Sequence, residues 1–250
     1  MPPLAIVTGA ARRVGRACAI ELARAGFDLA ITYRSRREEA ETTARDAVAA
    51  AVASGLRAPT VRVDALELAD AAAVESYAAR FGAGPVDALV LNASHYEATP
   101  LGGIRAETAL HDYRVNALAP LLLAQGLRRA LAASQQEGGG AIVAFTDIHA
   151  QGHPRRSFAP YLMSKAALAA LVECLAVELA PAVRVNAIAP GVVAWPDDAP
   201  REERERYEAR IPLERPGTPE DAARLVRAIV TQMPYVTGAV IRLDGGRALR

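Results

Sequence analysis

Short apolar runs alternate with helical segments along the whole chain, and this alternation constrains the fold more than any other feature. The first run, residues 4–7, leads through a glycine turn into a helical pattern that ends at Gly26. The strand-like runs are largely apolar without strict alternation, which is typical of parallel strands covered by helices on both faces. We therefore expect an α/β fold with one doubly wound parallel sheet. Its predicted strands are residues 4–7, 28–33, 60–64, 86–94, 141–147, 183–188 and 239–244.

Length and charge narrow the class of protein. With 250 residues and no linker rich in Pro, Gly or Ser, residues 1–250 are expected to form a single domain. The net charge of +1 gives no electrostatic case for nucleic acid, and no apolar run exceeds strand or ordinary helix length, so we expect no membrane span. The N-terminus enters a strand without a signal peptide. Cys18 and Cys174 lie in predicted helices, where we expect buried free thiols in a reducing, cytoplasmic compartment.

The first strand is followed by a turn that contains Gly9 and Gly15 and opens a helix. Strand, glycine turn and helix together form the context of a dinucleotide-binding site, in which the helix N-terminus faces a pyrophosphate. An ordinary glycine turn is the alternative. We expect Gly9 and Gly15 to belong to a cofactor site.

The end of the second strand bears on the choice of cofactor. An NAD site usually places a carboxylate here, to hold the ribose 2′-hydroxyl. This chain has Tyr33, Arg34 and Ser35 instead, followed by two further arginines. Arginines and a hydroxyl suit a 2′-phosphate, so the sequence favours NADPH over NADH. The alternative is a solvated run of charges that opens the next helix.

Polar and small residues follow the other predicted strands. Asp64 ends the third strand, near the expected position of an adenine ring, and Asp147 ends the fifth. Open parallel sheets bind ligands at the carboxyl ends of their strands, where small residues also let the backbone approach a ribose. The remaining candidates at these ends are Asn92, Ala93, Ser94, Pro190 and Gly191.

Lys165 is the only lysine of the chain, and it follows Tyr161 by four residues within a predicted helix. Residues four apart on a helix lie on one face, so the phenol and the ammonium are expected side by side. A neighbouring cation lowers the pKa of a phenol and suits it to proton transfer at a carbonyl or imine. We expect Tyr161 and Lys165 to be catalytic. The alternative is a surface Tyr and Lys.

Two segments depart from the regular alternation. The predicted helix 107–133 contains Asn116, with Pro120 four residues on, so we expect a kink. By residue type alone, Asn116 favours a surface or packing role. The charged, proline-rich segment 192–216 contains a predicted short helix and has the length of a lid or substrate loop.

With these motifs in place, the chain resembles the short-chain dehydrogenase/reductase family over its whole length. The resemblance implies a Rossmann fold that binds NAD(P)H, with Tyr161 as proton donor. Lys165 would tune Tyr161 and hold the ribose, and Asn116 would hold a proton-relay water. The matching residues are Thr8, Gly9, Gly15, Asn92, Ala93, Asn116, Tyr161, Lys165, Pro190, Gly191, Asp244, Gly245 and Gly246.

At two positions the chain departs from the usual family pattern, and both departures make it resemble the pteridine reductase branch of that family. Arg13 replaces the usual middle glycine, and Asp147 stands where the catalytic serine is usual. In this branch Asp147 and Tyr161 would supply a proton to a ring nitrogen, and Tyr96 would stack on a pterin. Arg13 and Ser94 would contact cofactor and substrate, Val14 would contact the cofactor, and Trp195 would line the pocket.

The favoured function is therefore NADPH-dependent reduction of a dihydropterin or dihydrofolate. One alternative is a carbonyl reductase of the same fold, acting on a 3-oxoacyl thioester or a sugar ketone; the missing serine argues against it, although Ser157 is nearby. Another is a non-catalytic nucleotide-binding protein, which Tyr161, Lys165 and Asn116 argue against. Asp147 precedes Tyr161 by fourteen residues, one more than the family pattern, which indicates a one-residue insertion in the loop at residues 153–156.

The family resemblance also bears on assembly. The helix after Lys165 and the helix with Asn116 are more apolar than solvent-exposed helices usually are, and the resemblance implies that they pair across a homotetramer. No cluster of residues has metal-ligand spacing, so no metal is expected. The expected partner is a small-molecule substrate.

Overall fold

Seven parallel strands form one sheet in the order β3-β2-β1-β4-β5-β6-β7. The computed structural model describes residues 1–82, 84–195 and 199–250. The order reverses between β1 and β4, which is the doubly wound arrangement that the alternating sequence predicts. The strands are β1 Leu4–Val7, β2 Asp28–Tyr33, β3 Val61–Ala65, β4 Ala88–Leu91, β5 Gly140–Phe145, β6 Val183–Pro190 and β7 Val240–Leu243.

Helices cover both faces of the sheet. Side chains of α1, α2 and α8 form one buried core with residues such as Ala5 and Val7 of β1. Ile6 points to the opposite core, which α3, α5 and α6 close. The helices are α1 Arg13–Arg24, α2 Arg37–Ala53, α3 Ala71–Ala79, α4 Ala106–Tyr113, α5 Ala119–Ala132, α6 Ala159–Glu178, α7 Arg201–Glu208 and α8 Pro219–Thr231.

The helix expected over residues 107–133 is continuous but changes its winding near the middle. A π-helical turn, Arg114–Leu118, joins α4 to α5, and the N–H of Ala119 bonds to the carbonyl of Arg114 five residues earlier. Pro120 has no N–H for the carbonyl of Asn116, so an α-helical bond is impossible at that point. The expected kink takes the form of this wider turn, and Asn116 lies within it.

α6 carries Tyr161 and Lys165 and packs against β6 and α4. Among the described residues it is the one helix long and apolar enough to span a membrane, a test that buried core helices also pass. Cys18 in α1 is buried as expected. The prediction that Cys174 is buried was wrong, because it lies on the face of α6 that points away from the sheet.

The expected lid begins after β6. Its ends are closed by the backbone bond from Gly217 N to Val192 O, at 3.0 Å, and α7 lies between them. Residues 196–198 of this segment lie outside the described residues. The segment is thus anchored at both ends and places α7 beside the carboxyl edge of the sheet.

Candidate active site

A cleft of about 1180 Å³ opens at the carboxyl ends of the strands. The turn after β1, the end of β2, the loops after β4, β5 and β6, and the start of α6 form its walls, which is the ligand position in doubly wound sheets. Most of the predicted site residues line it: Gly9, Arg13, Val14, Tyr33, Arg34, Ser35, Asn92, Ala93, Ser94, Tyr96, Asp147, Tyr161, Lys165, Pro190, Gly191 and Trp195.

The turn after β1 requires its glycines. Gly9 has φ +67°, and a Cβ there would lie 2.9 Å from the Cβ of Ala93. A Cβ at Gly15 would lie 2.3 Å from the carbonyl oxygen of Gly9, so Gly15 supports the turn from behind rather than lining the cleft. The side-chain amide of Asn92 donates to the carbonyls of Thr8 and Gly9, at 2.9 and 3.1 Å, and fixes the turn to β4.

The turn leads directly into the N-terminus of α1, which fits a bound phosphate group. The N-cap residue, Arg12, makes no side-chain capping bond, and no acidic residue occupies the first turn. The N–H groups there point along the helix axis and carry the positive end of its dipole. The glycine turn, this helix end and the size of the cleft fit the dinucleotide that the sequence predicts.

The arginines after β2 differ in their partners. Arg36 pairs with Glu39 at 2.5 Å and Arg37 pairs with Glu41 at 2.7 Å. Arg34 is exposed on the cleft wall and has no hydrogen bond or ion pair within the described part of the chain. Of these three arginines, Arg34 is therefore the guanidinium available to an anionic ligand.

Asp64 does not line the cleft, and its predicted contact with the cofactor stays a prediction. Its Oδ1 accepts from Nη2 of Arg80 at 2.9 Å, which turns the carboxylate toward α3. The cleft wall beyond β3 is formed by Leu66, Glu67 and Leu68 instead. The position near the strand end was predicted correctly, but the pairing with Arg80, which directly follows α3, was not foreseen.

Asp147 and Tyr161 meet at the centre of the cleft. The phenolic O–H of Tyr161 donates to Oδ2 of Asp147 at 2.8 Å, and Oδ1 of Asp147 accepts from the N–H of His149 at 2.7 Å. β5 ends at Phe145, so Asp147 belongs to the short turn that follows. The spacing of fourteen residues, one more than the family pattern, does not prevent this contact.

The protonation tendencies of Tyr161 and Lys165 follow from burial. Burial raises the pKa of Tyr161 well above its ordinary value, and the charge and hydrogen bond of Asp147 raise it further. Burial lowers the pKa of Lys165 to about 8, against a smaller opposing effect of Asp147. The expectation that Lys165 lowers the pKa of Tyr161 was wrong, because burial and the nearby carboxylate raise that pKa.

Lys165 lies beside Tyr161, as the spacing on α6 predicts. Its Nζ is 5.8 Å from the centre of the phenol ring and donates to the carbonyl of Phe145 at 2.7 Å. Phe145 was not among the predicted site residues, because a main-chain partner leaves no signal in the side-chain pattern. The bond holds the ammonium at the end of β5, on the wall of the cleft.

Asn116 is buried and does not line the cleft. Its Oδ1 accepts from Oγ of Ser94 at 3.0 Å and from the N–H of His95 at 2.9 Å. Its Nδ2 donates to the carbonyl of His95 and to Oγ of Ser164, both at 2.9 Å. The side chain thus fastens the loop after β4 to α6, and its four hydrogen bonds engage both ends of the side-chain amide. The relay water that the resemblance implies stays a prediction.

Aromatic rings gather at the substrate end of the cleft. Tyr96 stacks on Phe158 with ring centres 4.8 Å apart and 20° between the planes, and it meets Tyr161 edge-on at 4.8 Å. One face of Tyr96 is therefore covered, so a flat ligand can stack only on the other face. Trp195 meets Tyr207 edge-on and donates from Nε1 to Glu208 at 2.8 Å.

Ser157 does not replace the serine that is missing after β5. It is exposed, has φ +65° and is absent from the cleft wall, while its carbonyl accepts from the N–H of Thr99 at 2.5 Å.

Sequence reasoning missed Phe158, Arg155, Glu203 and Tyr207, all of which line the cleft. Arg155 and Phe158 belong to the irregular loop before α6, and Glu203 and Tyr207 belong to the short charged helix α7, which has no apolar periodicity. Among residues 1–82, 84–195 and 199–250, no group of three or more His, Cys, Asp or Glu could hold a metal ion.

Comparison with known proteins assigns the family. The sequence profile described as enoyl-(acyl carrier protein) reductase matches residues 9–248. The chain belongs to the short-chain dehydrogenase/reductase family. Family membership makes it an oxidoreductase that uses a nicotinamide dinucleotide, and the cleft is where its family members are expected to bind that cofactor.

Relatives in the family differ in their named activities. The chain is 34% identical over 254 residues to L-rhamnose 1-dehydrogenase of Azotobacter vinelandii, with 96% of this chain and 94% of the relative covered. It is 31% identical over 287 residues to pteridine reductase 1 of Leishmania tarentolae, with 99% and 96% covered. The crystal structure of acetoin dehydrogenase YohF from Salmonella typhimurium matches with a TM-score of 0.84 at 32% identity, covering 100% of this chain and 97% of that one.

Proposed function

We propose that this short-chain dehydrogenase/reductase uses NADPH to reduce a pterin-type C=N bond, in a dihydropterin or dihydrofolate. The observation that carries the proposal is the hydrogen bond from Tyr161 to Asp147 at the end of β5. A carboxylate in this place suits the delivery of a proton to a ring nitrogen, whereas reduction of a ketone is helped by a neutral hydroxyl that polarises the carbonyl.

The chemistry divides between cofactor and protein. A bound nicotinamide supplies the hydride to carbon. Tyr161 supplies the proton to nitrogen from its phenolic oxygen, which is protonated at neutral pH. Asp147 orients the phenol through Oδ2 and carries negative charge near the nitrogen that gains the proton. Lys165 offers its ammonium at the same end of the cleft.

The preference for NADPH rests on the end of β2. Arg34 is exposed on the cleft wall without a partner in the described chain, and Ser35 follows it with a hydroxyl. No carboxylate occupies the end of β2 to accept from a ribose 2′-hydroxyl. A guanidinium and a hydroxyl suit the 2′-phosphate of NADPH.

The aromatic lining supports a flat substrate. Tyr96 and Phe158 present a stacked pair beside Tyr161, and Trp195 lines the far end. Planar heterocycles gain from such faces. The likeness to pteridine reductase 1 supports the same substrate class, while the likeness to a sugar dehydrogenase supports a carbonyl substrate. The exposed position of Ser157 speaks against the second substrate class.

The test is NADPH oxidation by the purified protein with dihydrobiopterin, dihydrofolate and an acetoacetyl thioester in parallel, and with NADH as the cofactor control. Turnover on the pterins alone supports the proposal. Turnover on the thioester alone overturns it in favour of a carbonyl reductase. The variant Tyr161→Phe should abolish turnover and leave NADPH binding nearly unchanged, and unchanged turnover would contradict the catalytic role of Tyr161.

We further propose a cytoplasmic homotetramer. Met163 and Val177 on α6 are 69% and 79% exposed, and Leu110 and Tyr113 on α4 are about half exposed. Apolar side chains that are aligned on two adjacent helices favour burial against another copy of the chain. Light scattering after size-exclusion chromatography measures the assembly, and a monomeric mass would refute this proposal.

A further inference from the structure

One arginine links three walls at the substrate end of the cleft. Nη1 of Arg155 donates to Oη of Tyr96 at 2.8 Å, and Nη2 pairs with Oε1 of Glu203. Its guanidinium carbon lies 4.8 Å from the centre of the Phe158 ring. Tyr96 belongs to the loop after β4, Arg155 and Phe158 belong to the loop after β5, and Glu203 belongs to α7.

Two of these walls are joined independently of Arg155. The N–H of Thr99 bonds to the carbonyl of Ser157, and Tyr96 stacks on Phe158. The loops after β4 and β5 therefore behave as one unit. α7 lies across the cleft from that unit, and the ion pair between Arg155 and Glu203 joins the two sides.

The ion pair has the exposure expected of a contact that can open. The side chains of Arg155 and Glu203 are 33% and 41% exposed, so solvent and salt screen their attraction. Pairs of this kind contribute little to overall stability. Such a contact can hold α7 over the cleft and still release it for substrate entry.

We propose that Arg155 is a positioning residue that closes the substrate end of the cleft by pairing with Glu203 and that holds Tyr96 in place for the substrate. The inference rests on the proposed function in one respect, namely that the substrate occupies this cleft. Glu203 also neutralises the charge of Arg155, so the closed end of the cleft presents aromatic faces to the substrate rather than an unpaired guanidinium.

Trp195 gives a direct measure of closure. It is the only tryptophan of the chain, lines the cleft and bonds to Glu208 of α7. Acrylamide quenching of its fluorescence in the purified protein, with no cofactor or substrate added, reports how accessible this wall is to solvent. The set of variants is Arg155→Met, Glu203→Met, the double variant, and the charge-reversed pair R155E/E203R.

Arg156 provides the matched control. It is adjacent to Arg155, is exposed, does not line the cleft and makes no hydrogen bond or ion pair within the described residues. We expect Arg155→Met and Glu203→Met to raise the quenching constant about two- to threefold, the size of effect expected when a screened ion pair is lost. Arg156→Met should leave the quenching constant at its wild-type value. The double variant should have a quenching constant no higher than that of Arg155→Met, and the reversed pair should bring the constant part of the way back to the wild-type value.

Steady-state kinetics with dihydrobiopterin and NADPH give the second readout. Arg155→Met should raise the KM for the pterin about three- to fivefold while kcat stays within about twofold, because the loss of one screened pair weakens binding more than chemistry. Damage to the fold alone would lower kcat by reducing the amount of active protein, and circular dichroism detects it. The reversed pair should restore KM toward the wild-type value.

The outcomes separate the two proposals. The positioning role is refuted, while the proposed function stands, if Arg155→Met leaves both the Trp195 quenching constant and the KM unchanged. It is refuted in the same way if Trp195 is quenched as strongly in the reversed pair as in Arg155→Met. If the wild type does not oxidise NADPH with any pterin but Arg155→Met raises quenching, the substrate assignment fails and the closure by Arg155 and Glu203 stands.

Discussion

Tyr161 donates its phenolic hydrogen to Oδ2 of Asp147 across 2.8 Å, and both side chains lie on the wall of the same cleft. Burial and the carboxylate together raise the pKa of Tyr161, so the phenol holds its proton at neutral pH. A phenol in this state is suited to give a proton to substrate. It differs from a phenolate, which is suited to take one.

Asp147→Asn should slow pterin reduction by about 100-fold or more, the usual effect of removing a group that assists proton transfer. The amide can still accept from Tyr161, but it carries no negative charge beside the nitrogen that gains the proton. The pKa of Tyr161 should fall, because the charge of Asp147 raises it in the wild type. Phenolate absorbance against pH, with Tyr161→Phe subtracted, measures that change.

NADPH affinity is the control for Asp147→Asn and should be unchanged, because the substitution leaves the glycine turn intact. Asp147→Ser places the hydroxyl usual in the family at the same position. It should lose pterin turnover as well. Full pterin turnover by either variant would show that Asp147 has no part in the proton transfer.

The sequence was most informative where local geometry and side-chain pattern coincide. Gly9 and Gly15 follow a strand and open a helix, and the structure shows that a Cβ at either position would collide with a neighbour. Tyr161 and Lys165 share one face of α6 because four residues separate them. The parallel sheet follows from largely apolar strands that alternate with helices.

Contacts between segments that are far apart in the chain could not be predicted from the sequence pattern. Arg80, directly after α3, pairs with Asp64 at the end of β3, and Arg155 pairs with Glu203 at the cleft. Neither pair follows from periodicity, because both depend on how the helices and loops pack on the sheet. The direction of the Tyr161 pKa was missed for a related reason, since burial is a property of the assembled fold.

Arg34→Ala should weaken NADPH binding by about 10- to 100-fold, which corresponds to the loss of a charge-assisted bond to the 2′-phosphate. NADH lacks that phosphate, so its affinity should be nearly unchanged and the preference between the two cofactors should narrow. Titration of tryptophan fluorescence with each cofactor measures the two affinities.

Arg37→Ala is the matched control for Arg34→Ala. Arg37 is also exposed, but it pairs with Glu41 and lies off the cleft wall, so NADPH affinity should not change. An equal loss of NADPH affinity in Arg34→Ala and Arg37→Ala would indicate a general effect of positive charge. Equal loss of NADPH and NADH affinity in Arg34→Ala would contradict a contact with the 2′-phosphate.

Asn116→Ala should lower the free energy of unfolding by about 2–4 kcal/mol, because Ser94, His95 and the buried Ser164 lose the four hydrogen bonds that they make with the Asn116 amide. Urea denaturation measures this loss. NADPH affinity should fall as well, since Ser94 on the cleft wall loses its anchor. Ser164→Ala removes one of these four bonds together with the bond from Ser164 Oγ to the carbonyl of Tyr161, and should cost about 1–2 kcal/mol. An equal cost for the two variants would show that Asn116 does not anchor this loop.

Lys165→Met should abolish turnover and yet stabilise the cofactor-free fold at pH 7. Burial lowers the pKa of Lys165 from 10.5 to about 8, so the folded state binds its proton less readily than the unfolded chain does. That shift corresponds to a cost of about 3 kcal/mol below pH 8. The variant also loses the bond to the carbonyl of Phe145, which lowers its stability by about 1 kcal/mol. The net increase in its free energy of unfolding is therefore about 2 kcal/mol.

The sign of the pH dependence provides the sharper test. Between pH 8 and pH 10.5 the unfolded chain keeps the Lys165 proton while the folded state loses it, so the contribution of Lys165 to stability rises with pH. The advantage of Lys165→Met over the wild type should therefore shrink across this window, as measured by urea denaturation at successive pH values. An advantage that stays constant with pH would mean that Lys165 carries no such burial cost, and its ammonium would then be better solvated in the cleft than its position against β5 implies.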